Sequence, residues 1–410
     1  MTFRNPQTSP NTQAVRPESN GRNSFPLGGE VCQSTTFVQT ELGSDPEFAY
    51  SRVSNPTVDQ LERLLGRLED ALPATCFSTG LAAETALFLT ILSAGDHVVA
   101  GKAVYGGTTR LVNEILSNLG VEATFVDSTK LVEIEAAIRP NTKLIFIETP
   151  ANPTLELTDI AGAAEIAHDR KILLAVDNTF LTPVLQKPLD LGADISVYST
   201  TKHIEGHSVA LGGAVVSRDV KFADRLRRVR KSTGAIQSSK NAWLTIRGIK
   251  TLPLRLQRHS ESAEAVARWL NAHPEVENIN YPGLNDDKSS TLAQKQHESL
   301  AGRVRHGGIL SLELSGGYER ACEFARNVQL GNLVEHVGGI ETLLTHPASM
   351  THADVPRDQL REIGVSEGLL RLSVGLEDVG DIIADLEQAI SASATVETHS
   401  KEQKLCTQTS

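Results

Sequence analysis

The sequence has few cysteines, no long apolar run and no excess of positive charge. Its four cysteines, Cys32, Cys76, Cys322 and Cys406, occur singly, so no C-x-x-C pair indicates a zinc ribbon or a thioredoxin-like site. Isolated cysteines in a chain of 410 residues are typical of a reducing compartment. No apolar stretch reaches the roughly 18 residues that a membrane-spanning helix requires. We therefore expect a cytoplasmic protein that does not bind membranes.

The first thirty residues lack the apolar core of a signal peptide. Arg4, Arg16 and Arg22 leave an organelle-targeting segment open, although Glu18, Glu30 and the missing amphipathic pattern argue against it. The net charge of −11 disfavours nucleic acid as a partner. The content of 40% apolar and 22% charged residues is ordinary for a globular protein, and the length allows two or three domains.

Apolar runs recur about every 25 residues in the first half of the chain, with helical patterns between or beside them. The predicted strands are 97–100, 123–126, 144–147, 172–176 and 195–198, and the predicted helices are 58–68, 80–92, 131–138 and 160–168. This alternation predicts the α/β class, with a mostly parallel sheet covered by helices on both faces.

The pattern changes from residue 241 to a long helical stretch, 241–271, followed by strands such as 309–314 and a final helix at 379–390. These elements predict a second, smaller α/β domain. We expect an N-terminal arm at 1–57 with about thirty initial residues lacking regular structure, a large domain at 58–250, a C-terminal domain at 251–392, and a disordered tail at 393–410.

The segment Ser199-Thr200-Thr201-Lys202 follows the apolar strand at 195–198. A lysine at the end of a buried strand is poorly solvated, and a lysine whose charge is disfavoured is a good amine nucleophile. The hydroxyls of Ser199 and Thr201 suit an anion such as phosphate. Taken alone, Lys202 is better explained as a surface lysine in a βα loop.

Asp177 favours a ligand-binding role for Lys202 over the surface lysine. Asp177 ends the apolar strand at 172–176, and the carboxyl ends of parallel strands face the crevice where α/β proteins bind ligands. A lysine and an aspartate on consecutive strands suit pyridoxal phosphate (PLP), because the amine holds the aldehyde carbon and the carboxylate pairs with the protonated ring nitrogen. The small residues before the predicted helix at 80–92 place the backbones of Gly80 and Leu81 at its N-terminus, where the phosphate can bind.

Many sequence blocks occur together and in order. They are Ser34-Thr35-Thr36-Phe37, Tyr50-Ser51-Arg52, Asn55-Pro56-Thr57, Thr79-Gly80-Leu81-Ala82-Ala83, Tyr105-Gly106-Gly107-Thr108, Glu148-Thr149-Pro150-Ala151-Asn152-Pro153, Asp177-Asn178-Thr179, Ser199–Lys202 with Gly206-His207-Ser208, Arg247-Gly248-Ile249-Lys250-Thr251-Leu252, His346-Pro347-Ala348-Ser349-Met350-Thr351-His352 and Arg371-Leu372-Ser373-Val374-Gly375-Leu376-Glu377-Asp378. With these blocks the chain, from Ser34 to about Ile390, resembles the Cys/Met metabolism (trans-sulfuration) family of PLP-dependent enzymes, which includes cystathionine γ-synthase and γ-lyase.

The resemblance implies PLP as the cofactor and the type I fold of PLP-dependent transferases, similar to aspartate aminotransferase, with a large sheet of seven mostly parallel strands. It also implies site residues. Tyr105 matches the aromatic residue that stacks on the cofactor ring, Asn152 the group near its phenolic oxygen, and Thr179 the residue that packs against the ring. Tyr50 and Arg52 match arm residues that reach the phosphate of a neighbouring subunit.

The same resemblance implies a substrate site and an oligomer. Arg371 matches the arginine that binds the α-carboxylate of a small amino-acid substrate, with Asn152 nearby. Glu335 and Arg110 match residues of the γ-acting cystathionine enzymes. The catalytic residues would be Lys202, Tyr105 and Tyr50. A shared phosphate site requires at least a dimer, and we expect a tetramer built from dimers.

The expected activity is cleavage of cystathionine at its γ carbon, or formation of cystathionine from an O-acylhomoserine and cysteine. Homoserine sulfhydrylase and methionine γ-lyase activities stay open, as does a catalytically inactive scaffold of the same fold. Gly107 stands where methionine γ-lyases have a cysteine, which argues against that activity. Three departures from the family pattern leave the substrate open: Ala49 for an acidic residue, His336 for serine and Val209 for aspartate.

Two other kinds of site find little support in the sequence. His203 and His207 lie four residues apart, but Gly206 interrupts any helix that would align them on a zinc ion, and we expect no metal site. The segment 95–102 is close to a P-loop, but its glycine spacing is wrong and Ala103 stands where serine or threonine is needed.

Overall fold

Seven strands form one sheet whose central strands are buried on both faces. The structure is a computed structural model and describes residues 8–16, 27–284, 288–351, 360 and 363–394. The strands of this sheet are β1 (Thr75–Phe77), β2 (His97–Gly101), β3 (Glu122–Val126), β4 (Thr142–Glu148), β5 (Leu173–Asp177), β6 (Ile195–Tyr198) and β7 (Gly213–Ser217). Their spatial order is β1-β7-β6-β5-β4-β2-β3, and the pairs on both sides of β7 are antiparallel while the others are parallel.

Helices of the chain alternate with these strands and then continue beyond them. They are α1 (Pro10–Val15), α2 (Pro56–Leu68), α3 (Gly80–Ile91), α4 (Gly106–Arg110), α5 (Leu131–Ala137), α6 (Ile160–Asp169), α7 (Thr182–Leu185), α8 (Val220–Thr233), α9 (Ser239–Ile249), α10 (Leu252–Asn271), α11 (Lys288–Gln296), α12 (Gly317–Asn327) and α13 (Val379–Ser393). Shorter helical turns are a π-helix at Leu111–Leu116 and 3₁₀ turns at Ser117–Leu119, Pro188–Leu191 and Pro347–Ser349.

Side chains of β4 show how the sheet is packed on both faces. Leu144 and Phe146 point into one apolar core with Leu87 and Phe88 of α3, and this core also receives α8. Ile145 and Ile147, the alternate residues, point into a second core that α5 and α6 cover. Because successive side chains of a strand point to opposite faces, a continuous apolar run fits a strand with helices on both sides. The prediction of a seven-stranded, mostly parallel sheet is confirmed.

A second sheet has five strands and is mostly antiparallel. Its strands are β8 (Val276–Asn280), β11 (Ile309–Leu314), β12 (Asn332–Leu333), β13 (Leu343–Thr345) and β14 (Leu369–Ser373), in the order β12-β13-β14-β11-β8. Two short strands, β9 (Ser299–Leu300) and β10 (Arg303–Val304), lie between them in the sequence. Leu310 and Leu312 of β11 and Leu370 and Leu372 of β14 are fully buried, so this smaller sheet has its own core.

The chain divides into two compact units. The first comprises Met1–Thr149, Thr158–Leu254 and Gln296–Arg303, and contains the seven-stranded sheet. The second comprises Pro150–Leu157, Arg255–Lys295 and Val304–Ser410, and contains the five-stranded sheet. Both units are discontinuous in the sequence, and the boundaries at residues 57, 250 and 392 stay a prediction. Among the described residues, no helix combines the length and the apolar composition needed to cross a bilayer.

Two expectations about helices are wrong. The N-terminal segment, expected to lack regular structure, contains α1, which starts at Pro10 and buries Gln13 and Ala14. Proline is favoured in the first turn of a helix, because its missing N–H has no intrahelical acceptor there. The single helical stretch expected at 241–271 is two helices, α9 and α10, and Pro253 at the start of α10 cannot continue the helix before it. The predicted tail lies outside the described residues from residue 395 onward.

A buried ion pair connects three elements of the first unit. Arg230 of α8 donates from Nη1 to Glu62 of α2 and to the carbonyl of Cys76 in β1, the latter at 2.9 Å. Glu62 Oε1 also accepts the N–H of Cys76 at 2.8 Å. Both side chains of the pair are more than nine-tenths buried. Neither charge can be hydrated, so each depends on the other and on these hydrogen bonds.

We predict that Glu62→Ala lowers the free energy of unfolding by about 3–5 kcal/mol, because it leaves the Arg230 charge buried without its counter-ion. Urea unfolding of the purified protein measures the change. Arg139→Ala is the matched control, since it removes a pair with Glu122 that is half exposed and is expected to cost about 1 kcal/mol or less. Equal losses in the two variants would contradict the prediction.

Candidate active site

Three neighbouring parallel strands of the first unit end in polar residues. Glu148 ends β4, Asp177 ends β5 and Tyr198 ends β6, and in the register of the sheet Glu148 faces Asp177 and Asp177 faces Val197. The carboxyl edge of a parallel sheet is where α/β proteins bind ligands. Thr179 follows β5, and Ser199, Thr201 and Lys202 follow β6. The other predicted residues of the first unit lie elsewhere: Gly80 and Leu81 at the start of α3, Tyr105 after β2, Arg110 at the end of α4, and Tyr50 and Arg52 in the arm.

Asp177 is buried and is connected to the segment after β6 through Thr179. The N–H of Thr179 donates to Asp177 Oδ1 at 2.8 Å, and Thr179 Oγ1 accepts the N–H of Ser199 at 2.8 Å. Burial raises the pKa of Asp177 to about 6, and the hydrogen bonds from the side chain and backbone of Thr179 oppose this rise. The carboxyl group is therefore mostly ionised at pH 7, although it is shielded from water.

Two glycines allow the N-terminus of α3 to approach the sheet edge. A Cβ at Gly80 would lie 2.9 Å from Ser199 Cβ, and a Cβ at Gly213 would lie 2.2 Å from the carbonyl oxygen of Thr79. The side chain of Thr79 caps α3 by accepting the N–H of Ala82 at 3.0 Å. The N–H groups of Gly80 and Leu81 belong to the first turn, which has no intrahelical acceptors, so they are suited to an anion beside Ser199.

Thr201 and Lys202, the other predicted residues of the segment Ser199–Lys202, differ in part from what the sequence predicted. Thr201 Oγ1 donates to the carbonyl of Gly212 at 3.1 Å and accepts its N–H at 3.0 Å, so its hydroxyl is engaged by backbone. Lys202 lies in a turn in which Gly206 N–H donates to its carbonyl at 2.8 Å, and the residue is half-buried. The expected poor solvation of this lysine is thus only partial, because β6 ends four residues earlier.

Tyr105 is held through its backbone and has space for its ring. Its N–H donates to Glu148 Oε2 at 2.6 Å, which joins the segment after β2 to the end of β4. A Cβ at Gly107 would lie 2.4 Å from Cε1 of the Tyr105 ring, so this ring position requires glycine. The tyrosine is 39% exposed, as a residue that stacks on a ligand must be before the ligand binds.

Tyr50 and Arg52 contact each other in the arm. The Arg52 guanidinium lies 5.4 Å from the centre of the Tyr50 ring, and its Nη1 donates to the carbonyl of Lys231 at 2.7 Å. Tyr50 is 45% exposed and is paired with Thr36 through an isolated β-bridge. Arg110, the last residue of α4, is exposed.

Of the predicted substrate residues of the second unit, Asn152 contacts Arg371 directly. This arginine of β14 is 3% exposed, and it donates to Asn152 Oδ1 at 2.7 Å, to Thr345 Oγ1 at 2.9 Å and to the carbonyl of His336 at 3.3 Å. These bonds fix the plane of the guanidinium group, which suits bidentate binding of a carboxylate. Glu335, the residue before His336, is exposed.

A buried network that the sequence did not reveal joins the ends of the three strands. Asn178 Nδ2 donates to the Tyr198 hydroxyl at 3.2 Å and to the carbonyl of Gln186 at 2.7 Å. Gln186 Nε2 donates to Asn178 Oδ1 at 3.0 Å and to the carbonyl of Thr149 at 2.9 Å. The Tyr198 hydroxyl donates to Glu69, which is fully buried beyond the end of α2. Burial raises the pKa of Glu69 to about 7, and the hydrogen bond from Tyr198 opposes this rise.

Sequence reasoning also missed Glu84 and Glu148, although each carries a signal. Glu148 belongs to a block that was identified but was given no role, and Glu84 is the single charged residue of α3. Tyr198 and Glu69 carry no comparable signal, because they are 129 residues apart in the sequence. The histidines considered for zinc differ in exposure: His203 is fully buried and His207 is exposed. Within the described parts of the chain, no group of three or more histidine, cysteine or acidic residues could hold a metal ion.

Comparisons with known proteins agree with this arrangement. The family described as Cys/Met metabolism PLP-dependent enzyme matches residues 11–391. The chain is 42% identical to a cystathionine γ-lyase of Bacillus subtilis (strain 168), over 88% of this chain and 93% of that protein. It is also 42% identical to an L-methionine γ-lyase of Fusobacterium nucleatum subsp. nucleatum, over 89% and 93% of the two chains. A solved structure of cystathionine γ-synthase from Xanthomonas oryzae pv. oryzae, in complex with aminoacrylate and cysteine, matches with a TM-score of 0.90 at 36% identity, covering 95% of this chain and 99% of that chain.

We predict that Glu69→Gln makes the protein more resistant to rising pH. The folded-state pKa of Glu69, about 7, lies above its ordinary value of 4.5, so the stability due to its proton is complete below pH 4.5 and is lost as the pH rises through 7. Between pH 4 and pH 8 the free energy of unfolding of the wild type should fall by up to about 3 kcal/mol relative to that of Glu69→Gln. Urea unfolding across this pH range measures the difference. Glu165→Gln on α6, an exposed glutamate, is the control, and a Glu69→Gln curve parallel to it would refute the prediction.

Proposed function

The chain belongs to the family of Cys/Met metabolism PLP-dependent enzymes, and we propose that it acts at the γ carbon of cystathionine or of a homoserine-derived substrate. Its relatives are PLP-dependent lyases of the trans-sulfuration type, which act on small amino acids. The observation that carries the proposal is the connection, through Thr179, of a buried aspartate at the end of β5 to the lysine-bearing segment after β6.

The residues of the first unit fit PLP chemically. The cofactor, when bound, supplies an electron sink for negative charge that develops on substrate carbons next to the amino group. Asp177, mostly ionised at pH 7, is the partner for the protonated ring nitrogen. The N–H groups of Gly80 and Leu81 and the hydroxyl of Ser199 are donors for the phosphate. A Cβ at position 80 would lie 2.9 Å from Ser199 Cβ, so glycine allows these two groups of donors to lie side by side.

We assign the remaining cofactor contacts by the same reasoning. Thr201 donates to the phosphate once its hydroxyl turns away from Gly212. Tyr105 would stack on the ring and Thr179 would pack against it. Asn152 would meet the phenolic oxygen.

Lys202 is the proposed catalytic base and acid. Its Nζ would hold the cofactor through the aldehyde carbon, and the free amine would be the base and acid that moves protons at the α and β carbons of the substrate. The partial exposure of Lys202 supports this role, because the side chain must swing between two positions. Tyr105 and Tyr50 are the other proposed catalytic residues, and their phenol groups are partly exposed.

Arg371 is the proposed anchor for the α-carboxylate of the substrate. Its bonds to Asn152, Thr345 and His336 hold the guanidinium in one plane, so little entropy is lost when a carboxylate binds. Glu335 and Arg110 are proposed to contact the distal part of the substrate. Glu335 suits an ammonium group such as that of cystathionine or cysteine, and Arg110 suits an anionic group.

The position of Gly107 favours cystathionine chemistry over methionine γ-lyase activity. Methionine γ-lyases resemble one another in having cysteine there, and any Cβ at 107 would meet the Tyr105 ring at 2.4 Å. The observed position of the Tyr105 ring therefore fits only glycine at position 107. The homoserine sulfhydrylase reaction remains the second candidate, because Glu335 is exposed and does not exclude sulfide in place of cysteine.

We propose a tetramer built from dimers, in which Tyr50 and Arg52 complete the phosphate site of a second copy. The exposure of Tyr50 and its stacking on Arg52 support this arrangement, because a guanidinium held in this way presents a planar fork to phosphate. The single cysteines support a reducing compartment, and we propose the cytoplasm.

We predict that Lys202→Ala lowers turnover at least about a thousandfold, because no other group replaces the amine in proton transfer. The variant should keep the fold, and reduction of the wild type with borohydride should fix the cofactor covalently to Lys202. Lys221→Ala, an exposed lysine of α8, is the control and should keep full activity. Failure to trap cofactor on Lys202 of the wild type would favour the inactive scaffold.

The substrate assignment is tested with a panel of four reactions: cleavage of cystathionine, O-acetyl- or O-succinylhomoserine with cysteine, the same esters with sulfide, and methionine alone. We expect turnover with cystathionine or with an ester and cysteine. Cleavage at the γ carbon releases cysteine, whereas cleavage at the β carbon releases homocysteine, so thiol analysis identifies the bond that breaks. Turnover of methionine alone would overturn the proposal.

A further inference from the structure

Helix α3 carries one charged residue, Glu84, in a segment that is otherwise uncharged. Glu84 follows Gly80 by four residues, so both lie on one face of the helix. That face packs against the sheet edge, because a Cβ at Gly80 would lie 2.9 Å from Ser199 Cβ. Glu84 is 3% exposed. Helix α3, whose first turn supplies N–H groups to the proposed phosphate site, therefore also carries a buried acid one turn further along.

The carboxyl group of Glu84 has a neutral hydrogen-bond partner. Thr108 Oγ1 lies 2.6 Å from Glu84 Oε2, and both residues are almost completely buried. Thr108 belongs to α4 and donates its N–H to the carbonyl of Tyr105 at 2.8 Å. The bond therefore connects α3 to the segment that holds the stacking tyrosine. Among the described residues, Glu84 forms no ion pair with a lysine, arginine or histidine.

Asp177 is the charged group that acts on Glu84. The pKa of Glu84 is raised to about 8, first by burial and then by the negative charge of Asp177, and the hydrogen bond to Thr108 opposes the rise. Of the two acids, Asp177 has the better stabilised ionised form, because the side chain and backbone of Thr179 donate to its carboxylate. Two buried acids that interact electrostatically do not both ionise at the same pH. The acid that accepts more hydrogen bonds in its ionised form ionises first.

We propose that Glu84 is a positioning residue that stays protonated in the working enzyme, so that the negative charge of this site is confined to Asp177 and α4 is held to α3 through Thr108. This inference deepens the proposed function, since it rests on Asp177 being the partner of the ring nitrogen. An ionised Glu84 would place a second, uncompensated charge in the dry interior behind the ring. A neutral Glu84 keeps the hydrogen bond without that cost.

The protonation state is measured directly by infrared difference spectroscopy of the full chain, with the cofactor bound and after its removal. Wild type minus Glu84→Gln should show the carbonyl band of a protonated carboxylic acid at pH 7. In the cofactor-free chain this band should fade as the pH rises through about 8. Glu165→Gln, an exposed glutamate of α6, should show a carboxylate band instead. A carboxylate band for Glu84 at pH 7 with the cofactor bound would overturn the proposal.

Cofactor affinity, read by absorbance without turnover, gives an independent result. Glu84→Gln should bind PLP within about twofold of the wild type at pH 7, because the amide is uncharged and accepts the Thr108 hydrogen bond. A tenfold or larger loss would show that a charge had been removed and would refute the protonated state. Glu84→Ala should bind several-fold more weakly, because α4 loses its connection to α3, and affinity equal to wild type would refute the positioning role.

These measurements separate the inference from the proposed function. If no trans-sulfuration substrate is turned over, the infrared band and the PLP affinity still report on Glu84. If instead the band shows an ionised Glu84 while cystathionine is cleaved, the proposed function stands and this inference fails. Glu84→Gln changes one atom of the side chain, so folding of this variant does not limit the test.

Discussion

The site depends on the alignment of three strand ends, which backbone and side-chain hydrogen bonds fix together. The Thr149 N–H donates to the Asp177 carbonyl at 3.3 Å and the Asn178 N–H donates to the Val197 carbonyl at 3.0 Å, and beyond these bonds side chains continue the connection. Asn178 and Gln186 bond each other and reach the Tyr198 hydroxyl and the carbonyl of Thr149. Because each of these groups is buried, every missing bond would leave a polar atom without water, at about 1–3 kcal/mol. The network therefore keeps Asp177 and the Ser199 segment in one arrangement.

Burial around the strand ends also disfavours the ionised form of nearby carboxyl groups. Glu69, Glu84 and Asp177 are all enclosed by protein, and burial raises the pKa of each. They receive different donors: Asp177 has both groups of Thr179, Glu84 has one threonine hydroxyl, and Glu69 has the Tyr198 phenol. The pKa of Asp177, about 6, is the lowest of the three, and an aspartate also starts from a lower ordinary value, 3.8, than the two glutamates, 4.5.

Sequence reasoning found what repeats along the chain or stands in a short block. The apolar runs predicted β2 to β6, because a strand buried on both faces is a nearly continuous apolar run that can be recognised without knowing its neighbours. The glycines at 80 and 107 lie inside blocks, and their reason became visible only as contacts with Ser199 and Tyr105. The bonds between Tyr198 and Glu69, and between Thr108 and Glu84, could not be predicted. Their partners are distant in sequence, and a polar residue in an apolar helix does not indicate which partner it meets.

Cofactor chemistry was easier to predict than substrate choice. The proposed cofactor contacts of the first unit come from strand ends and a helix N-terminus, whose chemistry follows from backbone geometry. In the second unit, Arg371 is fixed by Asn152, Thr345 and a backbone carbonyl, and its proposed partner, an α-carboxylate, is common to all α-amino acids. Selection must then come from residues that meet the rest of the substrate. Glu335 and Arg110 are exposed, and an exposed charged side chain adopts several positions before binding, so its residue type restricts the charge of a substrate more than its shape. Relatives of equal identity carry different activities. Gly107, where a Cβ would lie 2.4 Å from the Tyr105 ring, therefore supports the proposed reaction more strongly than these exposed charges do.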